Sequence, residues 1–293
     1  MKYSTEKVRE FWEKNPMNYD WENKHTKHEE GTKKFYERID RDFFKAETHL
    51  AINKKPFAKI IPFDWIKNKE VLEVGCGLGS VSQLMAEHEA KVTAIDLTPR
   101  GVKNTNRRFE LLRKEHPEMK TLTDCKAIEA DAQKLPFEDS KFDFVISWGV
   151  IHHAPDTRRC MKEIYRVLKK GGMTSGMVYH KNSIIYYGHY MLLRGIFMGK
   201  LLKYSPRELA DRYSDGWKRG GCPKAEHFTK KEWKNIMMDA GFKKKNIKLF
   251  CASQVTDIYP PGLRWLDKGI PRAIPNQLFK LWGWFLGWDK VRK

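Results

Sequence analysis

Between residues 70 and 180, five short apolar runs alternate with helix-like segments, and this alternation limits the fold more than any other feature of the chain. The runs are Val71–Val74, Val92–Ile95, Ala127–Ala130, Phe142–Ser147 and Met173–Tyr179. Val81–His88, Gly101–Lys114 and Thr157–Leu168 lie between them and read as helices. Parallel strands need crossovers of this length, so the order predicts a doubly wound α/β sheet. Lys169-Lys170-Gly171-Gly172 is expected to close the last of these helices with cations and a glycine C-cap.

The flanks differ. Residues 1–68 are polar and aromatic, and Phe35, Ile39, Phe43 and Ala46–Leu50 fall on one face of an amphipathic helix. About 181–227 the alternation is interrupted by aromatic and basic sequence. It resumes where Thr229 can cap a helix running to Ala240, with Gly241 ending it. Lys248–Val255 and Leu281–Trp288 read as two further strands, and 258–277, with four prolines, reads as a connecting loop.

Chemistry concentrates at the ends of the strands. Glu73-Val74-Gly75-Cys76-Gly77-Leu78-Gly79 joins the first strand to a helix, and its glycines let the backbone pass close to a ligand and offer amides at the helix start. The spacing is G-x-G-x-G and not the G-x-G-x-x-G that seats a pyrophosphate. Glu73 would repel a diphosphate but welcome an ammonium or sulfonium. S-adenosylmethionine carries both cations and no phosphate, so it, with S-adenosylhomocysteine as product, is the expected cofactor. Asp96 ends the second strand, where a carboxylate accepts from two vicinal ribose hydroxyls, and Leu97 follows it. Asp131 ends the third and is placed to accept from an adenine amino group while the Ala132 amide donates to the ring. Ser147, at the end of the fourth, is expected beneath the methionine part.

In this context, Val71–Tyr179 resembles the class I S-adenosylmethionine-dependent methyltransferases, in the type 11 group that includes the ubiquinone and menaquinone C-methyltransferases. Glu73–Gly79 is similar to the first motif of that family, Asp96 to its second-strand acid, and Asp131-Ala132 with Leu135-Pro136-Phe137 to its third. Phe142–Ile146 followed by Ile151-His152-His153-Ala154-Pro155-Asp156 is similar to the fourth, and Leu168–Gly172 to the turn before strand five. The resemblance implies a Rossmann-like mixed sheet of seven strands, the last antiparallel and inserted between the fifth and sixth. It implies that Glu73, Gly75, Cys76, Gly77, Gly79, Asp96, Leu97, Asp131, Ala132 and Ser147 bind the cofactor. It further suggests a leader over 1–68 acting as lid, a methyltransferase domain over 69–293, and an insertion at about 181–227 as an acceptor-side cap.

Methyl transfer needs alignment, exclusion of water and sometimes removal of a proton. His152, His153, Tyr179 and His180 are candidate bases at the ends of strands four and five, although a His-His pair also packs well beneath such a site. No metal site is expected. Ser147-Trp148-Gly149-Val150 lacks the Asn/Asp-Pro-Pro-aromatic signature of enzymes acting on base or amide nitrogens. A small or lipid-like acceptor is therefore expected, with Tyr19, Trp21 and residues 182–203 on its side. The alternatives are an RNA-modifying methyltransferase and a non-catalytic protein that holds the cofactor.

Charge leaves three readings open. With 56 Lys+Arg against 37 Asp+Glu the net charge is +19, which suits nucleic acid, an anionic membrane or substrate, or a lysine-rich solvated surface. The cations are spread along the chain and no RNA-binding module is present, so tight nucleic-acid binding is not expected. Five scattered cysteines form no CxxC pair, which fits a reducing compartment. No run is long enough to span a bilayer and no signal core opens the sequence, so a cytoplasmic protein is expected, with peripheral contact at an anionic membrane left open. Ile184–Arg194 and its continuation to Lys203, apolar and bordered by Arg194, Lys200 and Lys203, suit a second lid, an acceptor pocket or an interfacial helix.

Overall fold

The computed structural model describes residues 3–17, 28–215, 221–252 and 285–293. Its sheet is built from β1 (Glu70–Val74), β2 (Lys91–Asp96), β3 (Lys126–Glu129), β4 (Phe142–Trp148), β5 (Leu168–His180), β7 (Leu249–Ala252) and β8 (Phe285–Arg292). They lie in the order β3-β2-β1-β4-β5-β8-β7, and β8 runs antiparallel to both neighbours. This is the Rossmann-like mixed sheet expected from the sequence. A two-residue strand not foreseen, β6 (His227–Phe228), pairs with the end of β5 beyond the point where β4 stops.

The strands are buried on both faces, which explains their near-continuous apolar sequence. Alternate residues feed two cores. Val71, Val92, Phe144 and Ile146 face α4 (Ser80–Ala86), α5 (Pro99–Glu115) and the leader segment Leu50–Ile66. Leu72, Val74, Phe142 and Val145 face α6 (Thr157–Val167) and α8 (Lys230–Ala240) through Met161, Ile164, Trp233 and Met237. Thr229 and Glu232 form a capping box at the start of α8, and Gly241 ends it at φ +120°, as the sequence indicated.

The leader contributes α1 (Thr5–Lys14), α2 (Lys33–Ala46) and the short α3 (Phe63–Ile66). Phe35, Tyr36, Ile39 and Phe43 form the buried face of α2. Arg108 of α5 fastens it: the guanidinium pairs with Asp40 at 2.7 Å and lies over the Tyr36 ring. The same side chain donates to the Leu78 carbonyl, so one buried cation joins α2 to the glycine loop.

Two local expectations are corrected. α6 ends at Val167 with Leu168 already extended and opposite Phe142, so Lys169–Gly172 is strand and not a helix cap. Gly171 uses its positive φ within that strand, and Gly172 sits where a Cβ would press on the Asp143 and Lys169 carbonyls, beside a register shift between β4 and β5. β8 also continues past Trp288 to Arg292. The loop 258–277, residues 281–284, and Tyr19 and Trp21 lie outside the described residues.

Candidate active site

The loop after β1 is held in a conformation that side chains resist. Gly75, Gly77 and Gly79 have φ of +82°, +51° and +82°. A Cβ at Gly75 would strike Val150, whereas one at Gly77 would enter open space. The amides of Gly75 and Cys76 donate to the Ile95 carbonyl, that of Gly77 to Asp96 Oδ2, and that of Gly79 to the Cys76 carbonyl. These four N–H groups serve protein acceptors, unlike those of a phosphate cradle.

Two acids border the cavity above this loop. Glu73, 4% exposed, accepts from the Ser82 hydroxyl, and its pKa is pushed up to about 8 by burial and, less strongly, by the nearby charge of Asp96. Burial likewise raises the Asp96 carboxyl, against the donors that lower it. Its Oδ1 accepts from the Thr98 amide and hydroxyl, and its Oδ2 from Gly77. Of about four acceptor positions on a carboxylate, one remains. That is room for one ribose hydroxyl where two were expected. The acids fit a cationic ligand, because a positive charge would relieve the burial penalty that raises both.

Asp131, Ala132, Leu97 and Cys76 line the same cavity. Asp131 is oriented by the Gln133 amide at 2.8 Å and side chain at 2.9 Å. The Cys76 thiol, buried beside Asp96 and Glu73, is pushed well above its ordinary pKa and is inert as a nucleophile. Ser147 is not on the wall: it is fully buried and donates to the Val74 carbonyl at 3.1 Å, bracing β4 against β1.

The opposite end of the cavity is aromatic and holds His153, Tyr179 and Asp215. Tyr179 donates to Asp215 Oδ2 at 2.7 Å, and His153 Nε2 lies 3.5 Å from the same oxygen. His153 Nδ1 meets the Lys224 carbonyl at 2.6 Å, so that nitrogen carries hydrogen and Nε2 faces the carboxylate. Burial lowers the His153 pKa and raises that of Asp215. The lowered pKa keeps the imidazole neutral near pH 7, so its Nε2 lone pair stands at the cavity wall beside Asp215. His152 does not reach the cavity. It is fully buried, its ring tilted against those of His153 and Tyr179 with centroids 4.1 Å away in each case, and its pKa lies well below the ordinary value because of burial. His180 packs on Cys251 of β7, also away from the wall. His152, His153 and Asp215 offer ligand atoms within 4.8 Å of one another, a spacing wide enough for a metal, but Asp215 Oδ2 already takes the Tyr179 hydroxyl.

α1 closes one side. Thr5, Val8 and Trp12 line the cavity, with Pro16 and Met17 following. Trp12 meets the His153 ring edge-on at 4.9 Å, and Glu13 accepts from the Arg100 amide. No residue of 182–203 lines this cavity. Tyr186 faces a separate hollow with His227, Arg207 and Glu226, and connects to the site through His227 and Tyr179. Among the described residues, the 181–227 insertion contributes Asp215 and the Lys224 carbonyl. Sequence reasoning missed both, since neither stands at a strand end.

With this geometry in place, the comparisons are informative. Residues 72–175 match the family model described as a methyltransferase domain. The chain is 37% identical over 106 residues to the sterol 4-C-methyltransferase of Caenorhabditis elegans, covering 36% of this chain and 30% of that protein. It is 36% identical over 106 residues to the phthiotriol/phenolphthiotriol dimycocerosates methyltransferase of Mycobacterium tuberculosis, covering 36% of this chain and 35% of the relative. The matched stretch is thus about a third of the length of these curated relatives. A solved S-adenosylmethionine-dependent methyltransferase from Methanosarcina mazei shares the fold, with a TM-score of 0.53 at 23% identity over 78% of this chain and 94% of that one.

Proposed function

We propose that this chain, whose residues 72–175 match a methyltransferase domain, is a class I S-adenosylmethionine-dependent enzyme that transfers a methyl group to a lipid-like acceptor. One observation carries the reading. A single cavity has two acids, the buried Glu73 and the part-buried Asp96, at one end and the buried pair His153–Asp215 at the other. The relatives that act on sterol and phthiotriol dimycocerosate acceptors support the choice of acceptor class.

S-adenosylmethionine, when bound, supplies a methyl group on an already activated sulfonium. The protein's own contribution is position and charge. Glu73 and Asp96 hold the cationic end and the ribose, Asp131 and Ala132 the adenine. α1 acts as a lid whose Trp12 excludes water from the transfer path. His153 Nε2, oriented by the Lys224 carbonyl, takes the proton the acceptor loses, and Asp215 stabilises the imidazolium that results. Tyr179 keeps Asp215 in place.

The test is transfer of label from methyl-tritiated S-adenosylmethionine, with the full chain incubated with extracted lipid or with RNA. Label in the organic phase supports the proposal. Label in RNA would give the acceptor to nucleic acid, and cofactor binding without transfer to either would make the protein a cofactor-binding one.

A further inference from the structure

Residues 185–203 build an exposed apolar tip. Ile185–Phe197 forms a π-helix, a wide-wound helix with Tyr186, Tyr190 and Gly195 buried, the two tyrosines against Ala210 of α7 (Pro206–Tyr213) and Gly195 beneath Leu201. Its outer face is not covered. Ile196 is 63% exposed, Phe197 76% and Leu202 95%, with Leu192, Met198 and Leu201 also open. The tip is a formed structure: Gly199, at φ +65°, turns the chain into Lys200–Leu202, and Gly195 lacks the Cβ that would strike Leu201 as the turn folds back. A capping box of Ser205 and Glu208 then starts α7 and fixes the exit.

Contiguous apolar exposure of this kind marks a surface made to be covered. Charge selects the cover. Lys200 and Lys203 flank the tip and make no ion pair among the described residues, and the chain as a whole carries +19. A second copy would bring like charge to the same rim and be repelled. No helix among the described residues is long and apolar enough to cross a membrane, so the tip can only enter an interface. We propose that Leu192–Lys203 docks this protein on an anionic lipid bilayer, with Phe197 and Leu202 inserted among the acyl chains and Lys200 and Lys203 at the headgroups. The same helix reaches the active-site cavity through Tyr190, His227 and Tyr179, ring centroids 5.9 and 5.2 Å apart in succession, so the docked face and the cavity belong to one packed unit. Docking does not depend on the acceptor assignment, because it is read without a methyl donor.

The experiment is co-sedimentation of the full chain with vesicles of phosphatidylcholine, with and without phosphatidylglycerol. Binding is expected only with the anionic lipid and should weaken as salt is raised. Phe197→Ser with Leu202→Ser should lower partitioning at least tenfold, and Lys200→Ala or Lys203→Ala about fivefold each. All five native cysteines are buried, so Phe197→Cys can be labelled alone with a polarity-sensitive fluorophore, which should shift to the blue on the same vesicles. Equal binding to neutral vesicles, no fluorophore shift, or an apolar double variant that binds as the parent does would overturn the proposal. So would a stable dimer in sedimentation velocity that the double variant abolishes, since a second copy would then be the occupant.

Discussion

Asp215 Oδ2 stands 3.5 Å from His153 Nε2 and 2.7 Å from the Tyr179 hydroxyl, although 62 residues separate Asp215 from His153 in the chain. One carboxylate thereby orients two candidate groups at the wall of one cavity. If the pair is the proton acceptor, Asp215→Asn should reduce turnover about a hundredfold while leaving cofactor affinity within about twofold. The sign of the pH effect follows from the imidazole. Acid protonates His153 Nε2 and removes the base, and burial lowers the His153 pKa, so the acid limb of turnover should lie below about 6.5. An acid limb that begins above about pH 6.5 would exclude this role.

Glu73 should report binding through protons. With its pKa near 8 in the free protein it is protonated at pH 6.5, and a bound cation favours the ionised form. Calorimetry with S-adenosylmethionine at pH 6.5, in two buffers of different ionisation enthalpy, should therefore show release of about one proton per site. The same shift acts on stability. The folded state holds the proton more tightly than the unfolded chain, so this residue's contribution declines as pH rises from about 4.5 towards 8. Heats that do not depend on the buffer would mean that Glu73 is not beside the cation.

Trp12→Ala tests α1 as a lid. The ring meets His153 at 4.9 Å, while Val8 is the one residue of α1 classed as buried. Loss of the ring should weaken cofactor binding about threefold to tenfold, in keeping with an aromatic pair of ~1 kcal/mol. Because α1 buries so little, the ligand-free melting temperature should move by less than about 3 °C. A large drop in melting temperature with unchanged cofactor affinity would make α1 a structural helix.

Arg108→Ala should behave differently. Its side chain is fully buried and serves Asp40, Gln83, Ser80 and the Leu78 carbonyl at once. Removing it leaves the part-buried Asp40 carboxylate and the Leu78 carbonyl without their donor, at a cost of about 2–3 kcal/mol in urea denaturation. A loss below about 1 kcal/mol would show that α2 holds to the loop without it.

The fold was legible because periodicity and strand-end chemistry are local. Parallel strands buried on both faces carry continuous apolar sequence, and Glu73, Asp96 and Asp131 stand where such strands stop. What the sequence concealed depends on distance or on backbone detail. Nothing in Ser214-Asp215 signals that a turn in the insertion comes back to His153. Lys169–Gly172 has the composition of a helix cap, but Leu168 pairs at once with Phe142 and the glycines serve the strand. Residues 182–203 have a pocket's composition, yet they line no part of the cavity at Gly75–Gly79, and Leu192, Ile196, Phe197 and Leu202 stand exposed.

The central claim is that the loop at Gly75–Gly79 and the acids Glu73 and Asp96 form a site for a phosphate-free cationic nucleoside. Calorimetric titration of the full chain with S-adenosylmethionine, and separately with NAD, tests it most directly. The expected result is saturable binding of S-adenosylmethionine at one site per chain and none of NAD, with Asp96→Ala weakening the former by about 1–3 kcal/mol through loss of a charge-assisted hydrogen bond. Binding of NAD without a response to S-adenosylmethionine, or an affinity untouched by Asp96→Ala, would contradict it.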